Sequence, residues 1–274
     1  MTRKRQTAAP IALLTDFGYR DHYAGVMKGV IASISPDSPM VDITHGVPPQ
    51  SVIAGAIALR ESWRFFPKRT VFLAVVDPGV GTARLPIAIE TRAGASFVGP
   101  DNGLLTLAAE DAGIAHAVRL DSQRYRLPDT SSTFHGRDIF APAAAWLSRG
   151  TALRALGSPL ERIHPLGLPP VVIGHREIRG EVLYVDGFGN LVTNISRRDL
   201  APLQSSFPGK QVSVRIKTGA PMKILNTYGD APAGAILATF GSFELLEIAL
   251  RDGNAASRLG CDVGAVVRVG VSRF

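Results

Sequence analysis

The sequence predicts a two-part protein: an N-terminal α/β domain on a mainly parallel sheet, then an all-β module, either a small barrel or a sandwich. Three observations carry that expectation. Short apolar runs alternate with segments of helical spacing through the first part of the chain, the rhythm of βαβ units. Across residues 164–180, Pro165, Gly167, Pro169, Pro170 and Gly174 break all periodicity. Beyond that break, strand-like runs follow one another, separated by Gly-, Asp- and Asn-rich turns with little helix between them. The expected boundaries are a disordered basic tail at 1–10, the α/β domain at 11–166, a linker at 167–180 and the β module at 181–274.

Residues 11–14 form a short buried-strand pattern that ends in Thr15-Asp16-Phe17-Gly18. Residues 23–35 place apolar side chains at helical spacing and stop before Pro36, where a helix is expected to end. A short strand over 41–45 leads into Gly46-Val47-Pro48-Pro49-Gln50, and Ser51 is placed to cap an Ala-rich helix over 52–65. Residues 71–76 are all apolar, without alternation, and read as a strand buried on both faces. That run ends on Asp77 and breaks into Pro78-Gly79-Val80-Gly81, a tight turn whose backbone permits close approach. Residues 86–91 and 96–99 read as a strand pair, 104–111 as a short helix, and 139–148 as a helix with an apolar stripe. In the β module the expected strands are 181–185, 211–216, 236–240, 245–249 and 266–269.

The 274 residues are 46% hydrophobic and 19% charged, a composition with ample core. The net charge of +7 comes from scattered Lys and Arg, the only basic cluster being Arg3-Lys4-Arg5, so a nucleic-acid partner is not expected. A single cysteine, Cys261, excludes an internal disulfide and a multi-Cys zinc site, and the six His lack ligand spacing. The apolar run at 11–14 is too short for a signal peptide, and no run of roughly 18 apolar residues occurs. A cytoplasmic protein without a membrane partner, metal or cofactor is expected.

Four polar clusters follow strands or open helices. They are Thr15-Asp16-Phe17-Gly18, Asp77 with Arg84, Phe134-His135-Gly136-Arg137-Asp138, and Asp186-Gly187-Phe188-Gly189-Asn190. In a parallel sheet the strand-end loops share one edge, so the first three can converge there, with Arg84 folding back over the Asp77 turn. Each cluster also has an ordinary use. Asp77 can cap a turn, Arg137 and Asp138 can pair with each other, Asp186 and Asn190 can form a turn, and Phe17, Phe134 and Phe188 can pack in a core. No P-loop, GxGxxG, HExxH or GxSxG signature is present.

Taken in order, LLTDFG, GVMKGVI, VDITH, VPPQ, VVDPGVGT, FVGPDNGLL, SSTFHGRDIFAP and FGNLVTNI, with Thr227-Tyr228 after them, resemble the motifs of the S-adenosylmethionine hydroxide adenosyltransferases. These adenosine-forming S-adenosylmethionine hydrolases are related to the fluorinase and chlorinase. The resemblance implies an N-terminal α/β sandwich and a C-terminal β-barrel. It also implies a homotrimer with active sites between subunits, and attack of water on ribose C5′ of S-adenosylmethionine to give adenosine and methionine. The family's catalytic Asp-Arg-His set falls on Asp77, Arg84 and His135. Asp16 matches the residue that grips the ribose hydroxyls, and Asp186 and Asn190 match the motif that holds the methionine end or the nucleoside. Phe188 matches an aromatic against adenine, and Phe17, Gln50, Phe134 and Gly136 fall around the ligand. Ser242 and Phe243 lie where related sequences carry a Ser-Ser-Gly-Tyr-type turn, of which Ser242 is retained while Phe243 and Glu244 differ. The alternatives are a halogenase on the same fold, or a nucleoside-binding sensor without turnover.

Overall fold

A computed structural model describes residues 7–271. The chain divides between Gly167 and Leu168 into two compact units.

The first unit is built on strands β1 (Ile11–Thr15), β2 (Met40–Thr44), β3 (Val71–Val75), β4 (Pro86–Thr91), β5 (Ser96–Pro100) and β6 (Ile114–Arg119). Its helices are α1 (Tyr23–Ile34), α2 (Val52–Ser62), α3 (Thr106–Asp111) and α4 (Ala141–Ser148). The strand order is β2-β1-β3-β5-β4-β6, parallel from β2 to β5. β4 runs antiparallel between β5 and β6, because the tight β4–β5 hairpin reverses the chain. β1 and β3 are buried at every residue, which explains why their sequences are apolar apart from Thr15 at the end of β1. Helix α1 packs against α4, and Met27 and Ile31 of α1 join Ile11, Leu13, Leu73 and Val75 in one core. Helix α2 packs against α3 on the opposite face, where Gly55 of α2 approaches Leu104 and Val76 too closely for a larger side chain to be added freely. The result is the expected α/β sandwich.

Two features of this unit depart from the sequence expectation. β6 was not foreseen, since its side chains are partly exposed and include His116 and Arg119, which hides the pattern of an edge strand. At the other end, Ala9 donates to the Ser148 carbonyl (2.8 Å) and Pro10 accepts from Val71 N–H (2.9 Å), so these two residues belong to the packed fold rather than to a disordered tail. Residues 1–6 of that expected tail lie outside the described residues.

The second unit is antiparallel, with β7 (Val172–Ile173), β8 (Glu177–Val185), β9 (Leu191–Ser196), β10 (Val212–Ile216), β11 (Met222–Lys223), β12 (Ile236–Phe240), β13 (Leu245–Leu250) and β14 (Val266–Val271). Short helices α5 (Ala201–Ser206) and α6 (Ala255–Leu259) punctuate it. The sheet runs β11-β10-β14-β8-β9-β13-β12, with β7 also on β8. Its two ends meet where Ile224 bridges Ala238 and Leu225 N–H donates to the Ala238 carbonyl (2.8 Å), which leaves a nearly closed barrel. Ile178, Val182, Leu191, Ile195, Val214, Leu246, Ile248, Val267 and Val269 fill it. Strand pairing begins within residues 167–180, since β7 pairs with the start of β8. Among the described residues no helix is long and apolar enough to cross a membrane, and no cluster of three or more His, Cys, Asp or Glu is placed to hold a metal.

Candidate active site

The register of the first sheet places the first two polar clusters side by side. Thr15 pairs with Val75, so β1 and β3 release Asp16 and Asp77 at the same sheet edge. The third cluster is brought to them by the turn after β3. Gly81 has φ +76°, and a Cβ on it would lie 2.5 Å from the Ser132 carbonyl oxygen, so only glycine lets this turn lie flat against the loop leading to His135. Residues Gly136–Phe140 then form one wide π turn, closed by Ala141 N–H to the Gly136 carbonyl, before α4 begins. Such turns insert an extra residue into a helix and recur at functional sites. Here the turn follows directly on His135.

Arg84 folds back onto Asp77. Its Nε donates to Asp77 Oδ1 (2.8 Å) and its Nη2 donates to Asp77 Oδ2, a two-bond fork on one carboxylate. The side chains are only 8% and 7% exposed, so this is a buried pair. Arg84 Nη2 also lies 2.7 Å from His135 Nδ1. Guanidinium nitrogen has no lone pair to offer, so Nδ1 must be the acceptor, and the neutral ring carries its proton on Nε2. Burial, then the positive charges of Arg84 and Arg126, push His135 below its ordinary 6.5, against an opposing pull from Asp77. The guanidinium sits 5.2 Å from the Phe140 ring centroid, which supports the cation on its far side.

Asp16, Phe17, Gln50, Asp77, Phe134, His135 and Gly136 line one cleft of about 300 Å³, at the small end of small-molecule sites. All seven were singled out in the sequence. Arg84 does not line the cleft but anchors two groups that do. Asp16 Oδ2 accepts the Gln50 N–H (2.8 Å), which leaves Oδ1 for a ligand, and Gln50 itself is held in the left-handed region at φ +64°. Tyr23 and Thr133 also line the cleft and were missed. The sequence signal of Tyr23 is only that of the first residue of an apolar helix. Its ring centroid is 5.5 Å from Phe17 and 5.2 Å from Phe134, and Phe17 and Phe134 meet edge to face at 5.9 Å. Three rings therefore form an apolar wall beside an ion pair. Arg137 and Asp138 pair with each other (2.6 Å), the ordinary use foreseen for them.

In the second unit Asp186 and Asn190 build a turn. Asp186 Oδ1 accepts the N–H groups of Phe188 and Asn190, both at 2.9 Å, and Asn190 Nδ2 donates to Oδ2 (2.9 Å). The turn pushes Phe188 outward to 81% exposure, unusual for a large apolar ring. Ser242 and Phe243 are not brought to that turn. Leu191 pairs with Ile248 at one end of the β9–β13 ladder and Ser196 with Leu245 at the other, so the two turns lie at opposite ends. Glu244 adopts φ +62°, a conformation that glycine takes without penalty. A bond from Arg197 Nε to the Glu244 carboxylate (2.5 Å) and one from Arg197 N–H to its carbonyl (2.9 Å) hold it there.

Comparison with known proteins identifies the family. Residues 11–157 match the model for the SAM hydroxide adenosyltransferase N-terminal domain, and residues 180–268 match that for the C-terminal domain. A Thermus thermophilus protein named (R)-S-adenosyl-L-methionine hydrolase is 40% identical over 267 residues, covering 95% of this chain and 99% of its own. A Salinispora tropica protein of the same name is 40% identical over 263 residues, covering 94% and 97%. The crystal structure of an uncharacterized conserved protein from Thermotoga maritima superposes with a TM-score of 0.85 at 37% identity, over 95% of this chain and 99% of that one. Proteins named fluorinase are more distant, as for that of Nocardia brasiliensis at 28%. With both domain models matched in order and hydrolases aligned almost end to end, the chain belongs to the SAM hydroxide adenosyltransferase family.

Proposed function

We propose that this protein hydrolyses S-adenosyl-L-methionine by attack of water on ribose C5′, yielding adenosine and methionine. The observation that carries the mechanism is the Asp77–Arg84–His135 set at the cleft that also holds Asp16. The sulfonium is already a good leaving group, so no acid is needed on the sulfur side. What the reaction needs is a water in line with the C5′–S bond, about 3–3.5 Å from carbon. As the oxygen–carbon bond forms, the C5′–S electron pair passes to sulfur and becomes the thioether of methionine, while water loses a proton.

The proton acceptor follows from the hydrogen bonding. The Nδ1 lone pair of His135 is taken by Arg84 and its Nε2 carries hydrogen, so His135 serves as a donor that orients water or substrate. Each Asp77 oxygen accepts one Arg84 bond and keeps a second lone pair, so Asp77 takes the proton. Asp16 Oδ1 holds the ribose hydroxyls, and Phe17, Tyr23 and Phe134 form the apolar wall for the nucleoside. The relatives' names specify the (R) sulfonium, and we take that configuration as the substrate. A halide nucleophile is disfavoured because the Asp77 carboxylate would repel it at the attack position. The same reading includes a cytoplasmic homotrimer in which Asp186, Phe188 and Asn190 serve a neighbouring subunit's site, a role the outward Phe188 ring supports.

Incubating the purified protein with S-adenosylmethionine tests the assignment by its products. Adenosine and methionine in equal amounts are expected, and bound but uncleaved substrate would favour a sensor. The pH profile of kcat/KM gives a second test. Only neutral His135 can accept from Arg84, so activity persists while the ring is neutral and falls as it gains a proton. Because His135 titrates below its ordinary 6.5, the acid limb should lie below that value. A limb at or above 6.5 that disappears in His135→Gln would contradict the tautomer assigned here.

A further inference from the structure

A second histidine lies beneath the cleft without reaching it. The His45 side chain is fully buried, and its Nδ1 is 2.8 Å from Thr15 Oγ1, at the last residue of β1. Thr15 Oγ1 accepts the Phe17 N–H (3.2 Å) and gives its own hydrogen to Nδ1, because the facing Asp42 carboxylate has only acceptors and draws the ring proton to Nε2. That nitrogen faces Asp42 Oδ1 at 3.2 Å, out of line for a well-directed bond, and Asp42 Oδ2 is held by Lys28 Nζ at 2.7 Å. Burial keeps the ring below its ordinary titration range, and Tyr19 covers it edge-on at 5.2 Å. The backbone around it ties two loops together. The His45 carbonyl accepts Gly18 N–H (2.7 Å), and Val47 N–H donates to the Thr15 carbonyl (3.3 Å). Further along, Gln50 N–H reaches Asp16 (2.8 Å).

We propose that His45 is a positioning residue: through Thr15 it fixes the loop of Asp16 and Phe17 against the loop of Gln50, and so sets substrate affinity. None of its bonds reaches Asp77, Arg84 or His135, which are held by β3, the turn after it and the π turn. Removing the ring therefore loosens the ribose-binding side of the cleft more than the water-holding side. The proposal rests on the functional reading above for its substrate, though not for its geometry.

The test compares wild type, His45→Leu, His45→Asn and Thr15→Val in three measurements. These are steady-state cleavage of S-adenosylmethionine, calorimetric binding of adenosine, and amide hydrogen exchange. Losing one buried hydrogen bond should raise KM and the adenosine Kd about tenfold in His45→Leu, with kcat within about threefold. Asn offers Oδ1 where Nδ1 was, so His45→Asn should bring KM back to within about threefold of wild type. Exchange at Gly18 and Gln50 should quicken in the Leu variant and not in the Asn variant. If His45→Leu does not fold, Thr15→Val removes the same bond from its other end, together with the Phe17 N–H bond, and should raise KM at least as much. Unchanged KM and exchange in the folded variants, equal losses in Leu and Asn, or a fall in kcat at constant KM would overturn the proposal. A wild type that cleaves nothing refutes the hydrolase reading instead, and His45 is then judged by the exchange at Gly18 and Gln50.

Discussion

Asp77→Asn is expected to lower kcat for S-adenosylmethionine cleavage by about a thousandfold, within the range for loss of a positioned base. Adenosine affinity should stay within about threefold, because the proposed nucleoside contacts come from Asp16 and the aromatic wall. The substitution keeps the shape of the side chain, and its Oδ1 still accepts from Arg84 Nε. What it loses is the charge and one acceptor: the amide Nδ2 faces Arg84 Nη2 donor to donor and has no lone pair for a proton. Chromatographic assay of adenosine release, with calorimetry for binding, separates the two effects. Near-normal turnover by Asp77→Asn would show that the proton goes elsewhere.

Arg84→Met should lose both activity and stability. The ion pair is buried on both sides, so removing the cation leaves a carboxylate without its partner and His135 Nδ1 without a donor. Breaking a buried pair in this way costs about 3–5 kcal/mol, far more than losing an exposed one. Turnover should fall at least about a hundredfold, because Arg84 fixes both the acceptor and the orienting ring. The double variant Asp77→Asn, Arg84→Met should melt above Arg84→Met alone, since its buried group is no longer charged, yet remain inactive. Melting of Arg84→Met at the wild-type temperature would show that the pair is not buried as described. A double variant no more stable than the single would show that the unpaired charge is not the cause.

Much of this site was legible because its chemistry sits where runs of apolar residues stop. Asp16 and Asp77 each end a strand buried on both faces, and the glycines and proline after Asp77 leave room for Arg84 to fold back. That the two aspartates are neighbours required the register, Thr15 to Val75, which no local pattern states. The strands that escaped notice carry polar residues for reasons of position. β6 lies at a sheet edge and keeps His116 and Arg119 toward solvent. β9 contains Thr193, buried, and Asn194, whose side chain accepts from Glu181 N–H and donates to the Pro169 carbonyl, so its polar letters read as loop. Tyr23 and His45 were hidden similarly. One looks like the start of an apolar helix, the other like the end of a strand, and only the fold shows what their rings touch.

The claim that water is the nucleophile and C5′ the carbon attacked is tested most directly by cleaving S-adenosylmethionine in heavy-oxygen water with chloride present. The expected products are adenosine carrying one heavy oxygen, at its 5′-hydroxyl, and unlabelled methionine. Unlabelled adenosine, or 5′-chloro-5′-deoxyadenosine in its place, would contradict the account.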